Sequence, residues 1–267
     1  MSVAAAAAWE RWATWYEGCA APLGEWFGRA VQARAGLAVL DVGCGAGFPA
    51  LAIASCVRPG GRVVATDVSP EMVAVVARRA KALALDNLVA RVADAADLPF
   101  EDEAFDAVTC STALMLCREP TRVAAEMRRV LKPGGRLAVA VWAERFRSPF
   151  FEMALTTLAA AIPPSRPDAP GPFRLGPPGA LEGELHAAAF CDVEIESRPF
   201  PFECPSPDEY VEVFTSLAVG LTDRLAALPA GEGGRLRAEL AARARAQAAA
   251  DGRVRLIATP LCATARR

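Results

Sequence analysis

The sequence predicts an α/β fold in which helices cover both faces of a doubly wound, mainly parallel sheet. Short apolar runs of strand length alternate with helical runs between residues 37 and 142, which is the first observation behind this prediction. The second is a glycine-rich turn that follows the first predicted strand directly and leads into a helix. Sheets of this kind bind ligands at the carboxyl ends of their strands, so the turn marks the expected ligand crevice.

The N-terminal region is predicted to be helical over residues 9 to 34. Aromatic side chains crowd two segments of it, and the stretch Pro22 to Gly24 is expected to break the helix between them. The first strand is predicted at 37 to 41, and the helical run 49 to 57 follows the glycine-rich turn. We assign residues 1 to 35 to a helical cap that precedes the sheet.

The middle of the chain continues the alternation and has one well-marked helix start. Ser69 is predicted to cap a helix that begins at Pro70, because a serine hydroxyl can accept a free amide and proline tolerates the first helical position. A tight turn is predicted at Pro133 to Gly135. The other predicted elements are strands at 62 to 67, 88 to 92, 105 to 110 and 137 to 142, a short helix within 94 to 106, and a helix at 121 to 131.

The pattern changes after Trp142. Residues 163 to 178 hold seven prolines and show no clear periodicity, which favours an irregular loop. The elements predicted beyond it are a helix over 178 to 190, a strand over 192 to 197, two helices within 207 to 250, and a last strand over 254 to 265. We assign 36 to 145 to a ligand-binding core, 146 to 180 and 204 to 250 to lid insertions, and 181 to 203 and 251 to 267 to the rest of the core.

The composition limits the classes of function. With 29 basic and 31 acidic residues the net charge is −2, so we expect no partner nucleic acid and no stable membrane association. The eight cysteines contain no C-x-x-C pair and one histidine accompanies them, so we expect free thiols and no metal site. The N-terminal segment lacks a basic region before its apolar residues, which predicts a cytoplasmic protein.

The glycine-rich turn reads Asp41-Val-Gly-Cys-Gly-Ala-Gly47. Glycines at alternate positions let the backbone approach a ligand closely, with φ values that side chains disfavour. Turns of this kind bind nucleotides in general, so a nicotinamide-dependent oxidoreductase stays open at this point. The G-x-G-x-G spacing and the acid two residues before Gly43 favour a cofactor that carries positive charge, because a pyrophosphate would be repelled there.

Two further acids end the next predicted strands. Asp67 ends the second strand, where a carboxylate can accept hydrogen bonds from both hydroxyls of a ribose. Asp94 ends the third strand and could accept from an adenine amino group, while the Ala95 amide could donate to a ring nitrogen. Each acid also has a plainer interpretation as a cap for the turn or helix that follows it.

In this order and spacing, these motifs and the Lys132-Pro-Gly-Gly135 turn resemble the class I methyltransferases that depend on S-adenosylmethionine (SAM). Within that family they are most similar to the ubiquinone/menaquinone-type and secondary-metabolite small-molecule enzymes. The resemblance covers residues 36 to 142 and implies a Rossmann-like sheet of seven strands, the last antiparallel. The SAM-binding residues are expected to be Asp41, Gly43, Cys44, Gly45, Gly47, Asp67, Val68, Asp94, Ala95, Cys110 and Ser111, joined on the N-terminal helix by Trp15 and Tyr16, which could equally be packing residues.

The sequence also departs from parts of that family. Quinone enzymes carry a Gly-Leu-Arg-Asn-type segment after the fourth strand, whereas this chain has Ser111-Thr-Ala-Leu-Met-Leu-Cys117 and no histidine there. The Asn/Asp-Pro-Pro-Tyr motif of nucleic-acid amino methyltransferases is absent from the chain. Quinone and nucleic-acid substrates are therefore disfavoured.

The expected function is transfer of a methyl group to an O, N or C atom of a small hydrophobic molecule, by in-line displacement, in a monomer or homodimer. A SAM-binding scaffold without catalysis remains an alternative. Deprotonation, if required, has three candidate bases, Tyr16, His186 and Tyr210, although His186 is expected to be an ordinary helix residue. The lid is expected to close an apolar pocket lined by Phe146, Phe150, Phe151, Phe173, Tyr210 and Phe214.

Overall fold

The computed structural model describes residues 3–159, 161–162, 170–218 and 221–267. Its helices are α1 Val3–Cys19, α2 Ala21–Ala30, α3 Ala50–Cys56, α4 Pro70–Ala82, α5 Pro120–Val130, α6 Pro149–Leu158, α7 Ala180–Ala187, α8 Pro207–Leu217, α9 Leu221–Ala226 and α10 Glu232–Ala246. Its strands are β1 Ala38–Val42, β2 Arg62–Asp67, β3 Leu88–Val92, β4 Phe105–Ser111, β5 Leu131–Trp142, β6 Cys191–Ser197, β7 Phe200–Cys204, β8 Val254–Ala258 and β9 Pro260–Arg266.

A seven-stranded sheet forms the centre of the molecule, in the order β3-β2-β1-β4-β5-β9-β6. Strands β1 to β5 are parallel, and β9 runs antiparallel to both β5 and β6 between which it lies. The predicted mixed sheet with an antiparallel last strand is confirmed. The strand order reverses between β1 and β4, and a crevice opens there because the connections after these strands run to opposite sides.

The last predicted strand, over residues 254 to 265, proves to be two strands in different sheets. The chain bends at Thr259, whose amide donates to the Ser148 hydroxyl at 2.9 Å and whose hydroxyl donates to the Arg147 carbonyl at 2.6 Å. Before the bend, β8 pairs with β7 in a separate two-stranded ribbon. Sequence reasoning missed β7 because Pro201 reads as a strand breaker, although a ribbon edge tolerates proline.

The helix break near the N-terminus lies earlier than predicted. α1 ends at Cys19 and α2 begins at Ala21, so Pro22 and Gly24 lie inside α2. Proline is tolerated in a first helical turn because its missing N–H would have no partner there. Gly24 is useful inside the helix, since a Cβ at this position would lie 3.2 Å from the Phe48 ring.

The short helix predicted within residues 94 to 106 is wrong. Side chains from elsewhere bind the backbone of this segment and hold it in turns. Glu126 accepts from the Leu98 amide at 2.8 Å, and the Arg129 guanidinium donates to the carbonyls of Leu98 and Phe100 at 2.9 and 2.7 Å. These groups are therefore not available for helical hydrogen bonds.

Two other predictions need smaller corrections. The turn at Pro133 to Gly135 is an irregularity within the long strand β5, where the register against β4 shifts and Gly134 has a φ of +71°. The described residues between 207 and 250 form three helices, because α9 lies between the two that were predicted. The first part of the loop predicted at 163 to 178, up to residue 169, lies outside the described residues.

No helix in the described ranges combines the length and the apolar character needed to cross a membrane. All eight cysteines are present as free thiols. Within the same ranges, no group of three or more His, Cys, Asp or Glu side chains could hold a metal ion.

Candidate cofactor site

A cavity of about 680 Å³ lies at the carboxyl ends of β1 to β4, at the point where the strand order reverses. Its walls come from α1, from the glycine-rich turn, and from the segments that follow β2, β3 and β4. The cavity therefore occupies the crevice that the topology of the sheet creates.

The glycine-rich turn forms the floor of this cavity. Gly43 has a φ of +70°, and a Cβ on it would lie only 2.4 Å from the Cβ of Ala113. Gly45 has a φ of +49°, but a Cβ there would meet no atom within 4 Å, because this residue faces the open cavity. Gly47 does not line the cavity, since it packs against Leu51. The first glycine serves packing, and the second leaves room for a ligand.

Asp67 joins the glycine turn to α4. One carboxylate oxygen accepts from the Gly45 amide at 3.0 Å and the other from the Ser69 amide at 2.9 Å. Ser69 caps α4 as predicted, since its hydroxyl accepts from the Met72 amide at 3.4 Å. Asp67 thus has the capping role of the plainer interpretation and also lines the cavity. Each of its oxygens has further lone pairs with which it can accept from a ligand.

The segments after β2 and β3 form one end of the cavity. Val68 lines it with a side chain that is 70% exposed, an apolar surface that a planar ring could cover. Asp94 and Ala95 line the same cavity. One carboxylate oxygen of Asp94 accepts from the Ala96 amide at 2.9 Å, so this acid is also a turn cap.

Asp41 does not lie on the cavity wall. It is fully buried beneath the glycine turn, where one carboxyl oxygen accepts from the Thr109 hydroxyl at 2.6 Å. Its other oxygen has no hydrogen-bond partner in the structure. Burial raises the pKa of Asp41 to about 8, and the negative charge of nearby Asp67 acts in the same direction. The full negative charge that the sequence suggested at this position is therefore disfavoured at neutral pH.

Helix α1 covers another part of the cavity. Tyr16 lines it, whereas its neighbour Trp15 points away and stacks on Phe202 with ring centroids 5.3 Å apart. The Trp15 indole donates to the Glu203 carbonyl at 2.8 Å. Burial raises the pKa of the Tyr16 phenol to about 12, although a hydrogen bond with Thr112 opposes the shift. Of the two aromatic candidates, Tyr16 faces the cavity and Trp15 packs against the β7–β8 ribbon.

Glu17, Arg79 and Thr112 are among the residues of the cavity wall that the sequence analysis did not predict. Glu17 of α1 pairs with Arg79 of α4 at 2.7 Å, and the same guanidinium donates to the Ala46 carbonyl at 2.5 Å. Thr112 has a φ of +52°, a conformation that a β-branched side chain rarely adopts. An ion pair across 62 residues and an unusual φ leave no local pattern, so no signal in the sequence could have found them.

The other predicted catalytic and pocket residues lie elsewhere. His186 is exposed on α7, and Tyr210 is fully buried with its hydroxyl donating to the Phe150 carbonyl at 2.7 Å. Neither lines the cavity. The predicted aromatic pocket is also wrong, because Phe150 packs with its ring centroid 5.2 Å from that of Phe151 and 5.3 Å from that of Tyr210, while Phe146 is 71% exposed. Aromatic side chains that fill one another's space form a core, not a binding site.

Of the thirteen predicted cofactor residues, ten line the cavity: Tyr16, Gly43, Cys44, Gly45, Asp67, Val68, Asp94, Ala95, Cys110 and Ser111. Ser111 is of particular interest because its buried hydroxyl has no hydrogen-bond partner in the structure. A buried polar atom without a partner is costly, so an orphan hydroxyl at a cavity wall fits a site that a polar ligand completes.

Comparison with known proteins identifies the family. A model described as a methyltransferase domain matches residues 40–139. Nocamycin O-methyltransferase from Saccharothrix syringae is 30% identical over 192 residues, which cover 68% of this chain and 69% of that protein. The chain belongs to the class I SAM-dependent methyltransferases. It is thus an enzyme whose cofactor is SAM, and the nicotinamide-dependent alternative falls away.

A further relative and a solved structure show how far the likeness extends. A demethylmenaquinone methyltransferase from Clavibacter sepedonicus is 46% identical over 112 residues, which cover 42% of this chain and 43% of that protein. This chain therefore spans less than half the length of that relative. The crystal structure of a putative methyltransferase from Bacillus halodurans C-125 has the same fold, with a TM-score of 0.59, 20% identity, and coverage of 91% of this chain and 97% of the other.

The cavity of the methyltransferase suits SAM chemically. Asp67 offers acceptors for hydroxyl groups, Val68 offers an apolar surface for a ring, and Gly45 leaves the floor open. The orphan Ser111 hydroxyl offers a polar group for the amino-acid end of a ligand. The residues present therefore fit the cofactor of the family.

Proposed function

We propose that this methyltransferase transfers the methyl group of SAM to an O, N or C atom of a small, hydrophobic organic acceptor. The observation that carries the proposal is an apolar wall in the same cavity as the glycine turn. Leu116 lines this cavity while 42% exposed, and Trp9, Ala13 and Phe48 line it as well. Apolar side chains left open to a cavity favour an apolar ligand, because its burial removes their surface from water.

We further propose positions for the cofactor. Asp67 would accept from the ribose hydroxyls, and Val68, Asp94 and Ala95 would hold the adenine. The glycine turn, the Ser111 hydroxyl and the segment around Cys110 would hold the methionine end, under Tyr16 of α1. Asp41 would act from beneath, by holding the turn in place and not by direct contact.

Bound SAM supplies an electrophilic methyl group on a positively charged sulfur. The protein's own contribution is to orient the acceptor in line with that group and to exclude water. Alignment alone can lower the activation barrier by about 7–11 kcal/mol, so a site without a strong base can still catalyse methyl transfer. Trp9, Ala13 and Tyr16 place α1 over the cavity, where the helix would shield the reacting atoms.

The segments 146 to 180 and 204 to 250 are proposed to form the lid. Arg174 supports this assignment, because its guanidinium donates to the Cys117 carbonyl at 2.9 Å on the wall of the cavity. Gly176 lies against the backbone after β5, where a Cβ would be 2.6 Å from the Glu144 nitrogen. Helices α6, α8 and α10 pack together and α8 contacts α1, so the lid and the cap form one layer.

The names of two relatives, nocamycin O-methyltransferase and demethylmenaquinone methyltransferase, support a small organic acceptor. The segment Ser111 to Cys117 lacks the sequence typical of quinone enzymes, which favours a non-quinone acceptor. We propose that the enzyme acts in the cytoplasm as a monomer or homodimer. Its balanced charge favours neither a nucleic-acid partner nor stable membrane association.

The proposal is tested by calorimetric titration with SAM, S-adenosylhomocysteine and NADH. Asp67→Ala should abolish binding of both sulfur compounds, because it removes the acceptor for the ribose. Asp97→Ala is the matched control, since Asp97 is an exposed acid of the neighbouring turn that does not line the cavity. Binding of NADH alone, or equal SAM affinity in wild type and Asp67→Ala, would contradict the proposed site. Turnover is then sought with a panel of hydrophobic phenols, carboxylic acids and amines.

A further inference from the structure

We propose that the methyl acceptor is a hydrophobic oxyanion, held at the mouth of the SAM cavity by Arg118 and Arg174. A carboxylate belongs to this class, as does a phenol or enol that is ionised at neutral pH. This inference rests on the function proposed above and narrows its acceptor from any O, N or C nucleophile to an anionic oxygen.

The first argument concerns the charges around the cavity. Arg118 lines the cavity and is exposed, and no carboxylate lies within ion-pair distance of it in the described parts of the chain. Its neighbour Glu119 faces Arg122 at 3.8 Å. The other arginine of the cavity wall differs, since Arg79 is paired with Glu17 at 2.7 Å. Arg118 thus presents a cationic charge with no carboxylate partner beside the apolar wall.

Arg174 brings a second such charge to the same place. Its guanidinium donates to the carbonyls of Cys117 and Arg118, at 2.9 and 3.2 Å, so it lies against the cavity segment that carries Arg118. Both acceptors are neutral, and the described ranges show no ion pair for Arg174. Arg118 shares the cavity wall with Leu116, and Arg174 lies against the backbone of the same segment without lining the cavity itself. Two cations without a carboxylate partner in the described ranges, beside an apolar wall, match a ligand that is apolar with one anionic end.

The second argument concerns proton transfer. Burial raises the pKa of the Tyr16 phenol to about 12 and of the Cys117 thiol to about 11, so both are protonated at neutral pH. His186, the one histidine of the sequence, is exposed on α7 and does not line the cavity. A general base works best with a pKa near the working pH, and none of these groups meets that condition within reach of the cavity.

The carboxylates on the cavity wall are also engaged. Asp67 accepts from the Gly45 and Ser69 amides, and Asp94 accepts from the Ala96 amide. Glu17 is paired with Arg79 at 2.7 Å, and Glu119 faces Arg122 at 3.8 Å. An acceptor that arrives already ionised needs none of them as a base.

The chemistry then balances without a proton. A lone pair of the acceptor oxyanion forms the new bond to the methyl carbon, and the carbon–sulfur bond breaks with its electron pair passing to sulfur. One negative charge and the sulfonium's positive charge disappear together, leaving a methyl ester or ether and neutral sulfur. The methylated product has lost the negative charge that Arg118 and Arg174 attract. It therefore binds more weakly than a new substrate molecule, which favours product release.

The test uses a pair of probes that share one apolar skeleton. Anilinonaphthalene sulfonate is anionic, and N-phenyl-1-naphthylamine has the same rings without the sulfonate. Each is titrated into the complex with S-adenosylhomocysteine, whose own affinity is measured in the same series. We expect the anionic probe to bind about tenfold more tightly than the neutral one at low salt.

Three variants locate the effect. Arg118→Gln should reduce binding of the anionic probe several-fold, and adding Arg174→Gln should remove its preference over the neutral probe. Arg118→Gln changes an exposed side chain that has no carboxylate partner in the described ranges, so it keeps the test valid even if Arg174→Gln disturbs the segment that it anchors. Arg128→Gln is the matched control, since it removes the same charge from a residue of α5 that does not line the cavity and has no carboxylate within ion-pair distance in the described ranges, and it should keep the preference.

Equal binding of the two probes, or a preference that survives in both Arg118→Gln and the double variant, would overturn the inference while leaving the methyltransferase proposal intact. Failure of wild type to bind S-adenosylhomocysteine would instead overturn the proposed function, and this inference with it.

Discussion

Thr109 of β4 donates a hydrogen bond of 2.6 Å to one carboxyl oxygen of Asp41 of β1, directly beneath the glycine turn. The second oxygen of Asp41 has no hydrogen-bond partner in the structure. Hydrogen bonding does not offset the loss of water around this carboxylate, so burial raises the pKa of Asp41 to about 8. The floor of the cofactor site therefore rests on a carboxyl group that is mainly neutral at pH 7.

This raised pKa predicts how the free energy of unfolding depends on pH. Between about pH 4 and the folded-state pKa of about 8, the folded protein keeps a proton on Asp41 that the unfolded chain releases. The contribution of Asp41 to stability is fully present below about pH 4 and is lost as the pH rises through about 8. Asp41→Asn should remove this dependence. Urea denaturation at about pH 5 and about pH 8 measures it.

The quantity to compare is the difference in the free energy of unfolding between wild type and Asp41→Asn at each pH, because other acids titrate in both proteins. Asp97→Asn, at an exposed acid, serves as the control and should follow wild type. If wild type and Asp41→Asn lose stability in parallel as the pH rises, Asp41 does not titrate in the way that its burial requires.

The two cavity glycines should respond differently to alanine. Gly43→Ala adds a Cβ 2.4 Å from that of Ala113 at a φ of +70°, so we expect a loss of about 2–4 kcal/mol in stability. Gly45→Ala meets no atom within 4 Å and should cost only about 1–2 kcal/mol for its positive φ. Its methyl group occupies cofactor space, so affinity for S-adenosylhomocysteine should fall about tenfold or more. Thermal unfolding and calorimetry separate the two effects, and unchanged affinity in Gly45→Ala would contradict the proposed floor.

The ion pair between Glu17 and Arg79 should stabilise the cap on the core. Arg79→Met leaves the Ala46 carbonyl without this donor and Glu17 without its partner, in a place where the two side chains are only 15% and 31% exposed. We expect a loss of about 1–3 kcal/mol in urea denaturation. Arg78→Met is the control, because the adjacent Arg78 makes a more exposed pair with Glu10 and should cost at most about 1 kcal/mol. Similar losses in both variants would argue against a special role for Arg79.

Substitutions of the neighbouring aromatic residues Trp15 and Tyr16 of α1 should affect stability and cofactor affinity separately. Trp15→Phe removes the indole donor to the Glu203 carbonyl and should lower stability by about 1 kcal/mol or more, with unchanged affinity for S-adenosylhomocysteine. Tyr16→Phe removes a hydroxyl beside the cavity and should weaken that affinity by up to about tenfold. Calorimetry and thermal unfolding of both variants check this division. A loss of affinity in Trp15→Phe that exceeds that in Tyr16→Phe would contradict it.

The sheet was predictable because its strands are short apolar runs between strong turn signals. Both ends of β2 and β3 agree with prediction, and Ser69 caps α4, which begins at Pro70 as predicted. The ribbon was not predictable in the same way, since β7 contains a proline and β8 runs into β9 with only Thr259 between them.

The site also contains some residues that the sequence predicts and others that it does not. Asp67, Asp94 and Gly45 stand next to strand ends, so the topology alone brings them to one crevice. The hydrogen-bond partner of Asp41 is Thr109 from another strand, and the place of Trp15 depends on the ribbon, so neither contact could be derived from local sequence. The aromatic residues expected to line a pocket fill a core instead, because composition does not show whether apolar surfaces face a ligand or one another.

The position of β9 between β5 and β6 has a consequence for biosynthesis. The ribosome makes β6 well before β9, yet β6 reaches the sheet only through its pairing with β9. While the intervening helices are being made, β5 therefore exposes an edge on one side and β6 has no neighbour in the sheet. The nascent chain can assemble the parallel strands β1 to β5, which border the crevice, at an early stage. Strands β9 and β6 can join the sheet only after residues 260 to 266 have been made.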